Sequence, residues 1–254
     1  FLQVLQSSET IRTVTCKSQL RLGITEDEWD ILVKTIGSII GIEDLRLHCL
    51  HGSRNFHPFQ AVAKALNNAQ SLCKLVISPD DTSFPRDPAG LIALANALRD
   101  HAALQEFAWF DRYDYGSNAD VVLRIVAACP HFRKVFIMSA CASIDALTNL
   151  LQMHSATDLH LVLGFYQWLS VTEEIRSGRC NVQRLTLIML KGTISTTTEV
   201  EAVASAIRLD RNLKYLALRM ENDFTDEAGV ALAEALTVNE TLCKIRLHAG
   251  RVFG

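Results

Sequence analysis

A short apolar motif, LxxLxL, recurs along this 254-residue chain at intervals that few folds accommodate. Its clearest turn runs from Asn212 to Leu247. Leu213, Leu216 and Leu218 open that stretch, and Leu242, Ile245 and Leu247 close it in the same spacing. Between them Ala228, Leu232, Ala235 and Leu236 fall at i, i+4, i+7 and i+8, which puts four apolar residues on one helical face. The stretch therefore reads as strand, turn, helix and next strand, a unit that returns to its start after 29 residues.

The motif recurs, with substitutions, at Ile11/Val14/Cys16, Ile42/Leu45/Leu47, Leu72/Leu75/Ile77 and Leu104/Phe107/Trp109. It continues at Phe132/Val135/Ile137, Ala156/Leu159/Leu161 and Val182/Leu185/Leu187 before the two copies above. The second positions of these nine copies (14, 45, 75, 107, 135, 159, 185, 216 and 245) lie 31, 30, 32, 28, 24, 26, 31 and 29 residues apart. The pattern predicts an α/β solenoid of about nine repeats, with a parallel sheet on the concave side and helices on the convex side. Each repeat buries its apolar face only against its neighbours, so residues 1–254 are expected to form a single array.

Local signals punctuate the helices. Thr25 with Glu28, Ser170 with Glu173 and Thr198 with Glu201 each fit the T/S-x-x-E capping box. Pro58, and Pro88 after Asp87, suit first helical positions. The helices are expected at about 26–39, from Pro58, from Pro88, and at about 119–128, 143–153 and 168–178, the last of two turns at most. The longest loop spans 78–88.

On these residues the chain resembles the leucine-rich repeat family, in particular the ribonuclease-inhibitor-like subclass also found in NOD-like receptors. FTDEAGVALAEALTVNETL (224–242) is similar to that subclass's helix-and-return segment. The resemblance implies a horseshoe that binds other proteins. The family usually carries Asn or Cys five residues after the second motif position, where it ties the turn after each strand. Here those positions hold Gln19, Leu50, Asp80, Arg112, Ala140, Gly164, Leu190, Glu221 and Gly250, so that ladder is largely missing. FLQVLQSSETIRTV (1–14) resembles ALAEALTVNETLCKI (231–245), so the chain reads as part of a longer array.

Composition excludes several classes. A net charge of −3 with interspersed signs leaves no electrostatic footprint for nucleic acid. No apolar run approaches the length of a membrane span. Seven scattered cysteines, odd in number and without a CxxC, read as buried free thiols of a reducing compartment, the cytoplasm. His48, Cys49, His51 and His57 are the nearest thing to a metal cluster, but His48 and Cys49 point to opposite faces of a strand. Asp80, Asp81 and Asp87 lack calcium-loop spacing. No phosphate loop, nucleophile elbow or zinc-protease signature occurs. The reading is therefore non-catalytic, with no cofactor, no metal and no small-molecule substrate.

The repeat register supplies a candidate site. Residues between and beside the motif leucines point to the concave sheet face. Most are polar or small toward both ends of the array. In the middle, Phe110, Phe136, Met138, Val162 and Ile188 are expected to face out from neighbouring strands as one apolar patch. Lys134, Asp158, Arg184, Tyr215 and Arg219 would rim it, and Tyr113 and Tyr115 would extend it from the loop at 110–118. The alternative is that this loop folds over the patch. The expected function is a protein-interaction module that docks a protein partner there. Two alternatives follow from the repeat architecture: a GTPase-activating regulator resembling the Ran GTPase-activating protein, or a structural spacer in a larger receptor or scaffold.

Overall fold

The computed structural model describes residues 11–17, 31, 32, 34–36, 41–50, 58–79, 88–111, 117–139, 142–189, 196–220 and 225–249. Strand and helix alternate throughout, and strand order in the sheet is chain order. The fold class is α/β, an open, parallel, strand–helix repeat. The chain divides into two compact units, residues 1–132 and 133–254.

The first unit holds β1 (Thr13–Lys17), β2 (Asp44–Leu50), β3 (Lys74–Pro79) and β4 (Glu106–Asp111), joined in parallel, each to the next. Helical residues at 31, 32 and 34–36 and helices α1 (Pro58–Asn68), α2 (Pro88–Asp100) and α3 (Ser117–Ala128) accompany them. The expected prolines open α1 and α2. The motif residues Leu45, Leu47, Leu75, Ile77, Phe107 and Trp109 are buried, as are Phe59, Leu66, Leu94, Leu98 and Leu123 of the helices. Phe59 and Trp109 meet with ring centres 5.8 Å apart.

The second unit holds β5 (Lys134–Ser139), β6 (Asp158–Leu163), β7 (Arg184–Met189), β8 (Tyr215–Met220) and β9 (Lys244–Ala249), again parallel and consecutive. Helices α4 (Ile144–Leu151), α5 (Phe165–Arg176), α6 (Thr196–Leu209) and α7 (Asp226–Val238) complete it. The nine strands span the motif positions predicted from the spacing. Val135, Leu159, Leu185 and Leu216 stand in register and are buried, because adjacent parallel strands stack equivalent residues. Among the described residues, no helix is long and apolar enough to cross a membrane.

Three helix-start expectations need correction or lie elsewhere. Ser170 does not cap α5. It sits one turn inside, donating its hydroxyl to the Tyr166 carbonyl at 3.0 Å. The helix begins at Phe165, where Gln167 Oε1 accepts the Gly164 N–H at 2.8 Å, and runs for 12 residues rather than two turns. Buried Trp168, Val171 and Ile175 supply the apolar face that extends it. It ends in a Schellman turn: Gly178 at φ +73° donates to Ile175, and the Arg179 N–H returns to the Glu174 carbonyl. Thr198 likewise lies inside α6, which opens at Thr196. Thr25 and Glu28 lie outside the described residues.

A polar ladder ties the repeats, but before the strands rather than after them. His101 Nε2 meets the Ala69 carbonyl at 2.9 Å. Asn181 Nδ2 donates to Gln152 O and Asn212 Nδ2 to Cys180 O, both at 2.8 Å. Asn239 donates to Ile207 O and Asp210 O while its own carbonyl accepts the Thr241 and Leu242 amides. The Ala69, Gln152, Ile207 and Asp210 carbonyls lie at or just past helix ends and the Cys180 carbonyl a few residues beyond one, and each is met by a side chain from the next repeat.

Candidate functional site

Within each strand of the second unit the motif residues point toward the helices, so the residues between them form the other face of the sheet. That face is half open. The burial pattern along β5 and β6 alternates over the first three residues and then stays buried to the strand end, and β7 is buried from its second residue onward. Parallel sheets tend to be covered on both sides, and here the C-terminal halves of these strands are.

The expected apolar patch is corrected by this pattern. Met138, Val162 and Ile188 are only 7%, 1% and 4% exposed. They are register partners across β5, β6 and β7, so Val162 is flanked on both sides by like side chains about one strand spacing, ~4.8 Å, away. Phe136, two residues before Met138 in β5, is half-buried. Phe110 is also half-buried and belongs to the first unit. Tyr113 and Tyr115 lie outside the described residues. The expected rim fares differently. Lys134, Arg184 and Arg219 are exposed, and Asp158 and Tyr215 are half-buried.

The second unit's accessible face is a shallow depression of about 280 Å³ over β5–β9. Phe136, Asp158, His160, Arg184, Tyr215, Arg219, Arg246 and His248 line it, with Thr186, Ala217 and Ile188 on its floor. The small Thr186 and Ala217, both buried, make it concave between larger neighbours. At one end Phe136 and His160, register partners on β5 and β6, stack with ring centres 5.6 Å apart. His160 Nε2 lies 3.1 Å from Asp158, and Arg184 Nε reaches the other carboxylate oxygen at 3.5 Å. Burial opposes ionisation of Asp158, but the His160 hydrogen bond and the charges of His160 and Arg184 outweigh it and hold its pKa below the usual aspartate value. The centre is Tyr215. Arg184 from β7 covers its ring at 4.6 Å, and Arg246 from β9 approaches at 5.9 Å.

The arrangement is a rigid, aromatic and basic surface. The first unit's equivalent face is neutralised from within: Arg46 pairs with Asp44 at 2.8 Å, and Lys74 lies 3.8 Å from Asp44 and 3.6 Å from Glu106. Sequence reading found Arg184, Tyr215, Arg219, Phe136 and Asp158 but missed His160, Arg246 and His248. The signal was present in the same register, because Arg246 and His248 occupy outward positions of the last strand. Their polar character sets them apart from the apolar side chains expected to form the site.

No protein-family model matches the chain, and a comparison with curated proteins finds no match.

Proposed function

We propose that this chain is a non-catalytic, leucine-rich-repeat module of the ribonuclease-inhibitor-like kind, and that it docks a protein partner on the open sheet face of residues 133–254. The observation that carries the reading is the company around Tyr215: two guanidiniums and a half-buried tyrosine on adjacent rigid strands, beside a stacked Phe136–His160 pair. Tyrosine and arginine dominate the energetics of protein interfaces, since each offers much contact area and directed polar groups for little lost freedom. A strand platform holds them without a cost for ordering a loop. The repeat spacing and the strand–helix alternation support the family assignment. The role belongs to the reducing cytoplasm, in keeping with the free, buried Cys129 and Cys180.

Site-specific photo-cross-linking tests this. A benzophenone side chain replaces Tyr215 in one variant and exposed Val230 of α7 in another. Irradiated in native lysate, the variant at position 215 is expected to give a discrete protein adduct and the variant at 230 none. Adducts from 230 alone would overturn the reading.

A further inference from the structure

The chain is acidic overall, with a net charge of −3, yet the outward residues of β5–β9 are not. Lys134, Arg184, Arg219, Lys244 and Arg246 face a single carboxylate there, Asp158. Asp158 is already committed to His160 and Arg184. Among the described residues no carboxylate lies within ion-pair distance of Arg219 or Arg246, and both are exposed. The two project from adjacent strands into the same depression, two positions apart in register, since Ala217 pairs with Arg246 and Arg219 with His248. The positive charge is thus concentrated over β8 and β9, while the β6 end carries the carboxylate.

Resting on the docking reading above, we infer that the depression over β7–β9 takes an acidic segment of the partner polypeptide, with one or two Asp or Glu side chains seated between Arg219 and Arg246. A guanidinium presents its N–H donors as a planar fork that matches a carboxylate in two parallel hydrogen bonds. The partial desolvation of a concave surface strengthens such a pair over one on a flat, wet surface. Asp158 sets the polarity of the segment. It lies two strand spacings from β8 and three from β9, about 10–14 Å, a span of some three to four extended residues. A second acidic residue that far from the seated pair would meet a carboxylate, so the segment is acidic at one end and neutral or basic at the other. A nucleic acid fits less well. Its phosphate track would run over Asp158, and the Tyr215 ring that a base would stack on is already flanked by Arg184 and Arg246.

The test titrates the whole chain with fluorescein-labelled twelve-residue probes and reads anisotropy. The probes are a peptide with four Glu at one end and Gln at the other, an all-Gln peptide and a single-stranded dT12. The acidic peptide is expected to bind, and to weaken several-fold between 50 and 200 mM salt as a charge-driven contact does, by roughly the screening expected over that range. The all-Gln peptide is expected not to bind. The pair Arg219→Gln and Arg246→Gln should weaken the acidic peptide about tenfold or more, and Arg246→Lys, which keeps the charge but loses the fork, should fall between. Arg176→Gln together with Arg208→Gln on the helices should leave it unchanged. Equal binding of the acidic and all-Gln peptides, indifference to the Arg219 and Arg246 substitutions, or preference for dT12 would each overturn the inference. Its failure is separable from that of the docking face. If position 215 still cross-links a protein in lysate and the acidic peptide does not compete, the face stands and the acidic occupant falls.

Discussion

The guanidinium of Arg184 lies 4.6 Å from the centre of the Tyr215 ring, and the two residues are register partners on β7 and β8. Neither side chain is deeply buried, so the pair is shaped more for presentation than for stability. A cation over an exposed aromatic face contributes about 0.5–1 kcal/mol. Tyr215→Phe keeps the ring and should leave unfolding free energy within ~0.3 kcal/mol of the parent, while Tyr215→Leu should lose about 1 kcal/mol. Denaturant unfolding of the two variants measures this. Equal losses would assign the effect to the hydroxyl rather than to the ring.

Asn239 ties two repeats with five hydrogen bonds, two given and three accepted. Removing the side chain strands the Ile207 carbonyl and the Leu242 amide in partly buried surroundings. Asn239→Ala should cost on the order of 2–3 kcal/mol, because each unsatisfied group carries its desolvation penalty. Asn149→Ala, on the exposed side of α4, should cost less than ~0.5 kcal/mol. Similar melting temperatures for the two variants would count against the ladder as a source of stability.

Two carboxylates in the second unit should answer pH in opposite directions. Asp158 has its pKa lowered on folding, so its contribution is present above the ordinary aspartate value near ~4 and is lost as pH falls through the lower folded value. Asp210 is raised: burial outweighs the hydrogen bonds from the Leu213, Asn212 and Arg211 amides and the charge of Arg211. The folded state then binds the Asp210 proton more tightly than the unfolded state does. Its unfavourable term is absent below the ordinary aspartate value and grows as pH rises through the folded one. Asp158→Asn should therefore be most damaging near neutrality and converge on the parent as pH falls through the lowered folded pKa. Asp210→Asn should gain on the parent as pH rises from the ordinary aspartate value through the raised folded one. Melting temperatures across that range, read for both variants, would contradict the assignment if the two trends had the same sign.

Burial pushes the Cys129 thiol up to about 11 and the Cys180 thiol up to about 12, so neither forms appreciable thiolate near neutrality. Cys243 is exposed at the start of β9. Iodoacetamide at pH 8 should therefore modify Cys243 first among the described cysteines, with Cys129 and Cys180 reacting only after unfolding. Mass spectrometry of timed digests reads the order. Early labelling of Cys180 would show that the second unit opens locally.

The repeat and the strand positions were legible in the residues because period and register are local. Leu216 and Ile245 announce their strands through spacing alone, and they pair as expected. Helix starts were less legible. Ser170 offers a capping signature, yet the buried run Trp168, Val171 and Ile175 carries the helix past it, so packing overrode the cap. The site was legible in its register and not in its exposure. Alternation places Val162 on the outer face but cannot say that, flanked by Met138 and Ile188, it will be only 1% exposed. The ladder of Asn181, Asn212 and Asn239 was in plain view. It lies in the turn before each strand, whereas the family pattern points to the turn after it.

On the proposed docking face of residues 133–254, partner binding and folding should part company. The most direct test takes the protein captured from position 215 and measures its binding isotherm with Phe136→Ala and Arg246→Ala, each paired with a melting curve of the free variant. The expected result is a binding loss of about 2 kcal/mol or more for at least one of them, with folding stability lowered by no more than about 1 kcal/mol in either. Unchanged affinity for both, or a collapse of the melting temperature that accounts for the whole binding loss, would contradict it.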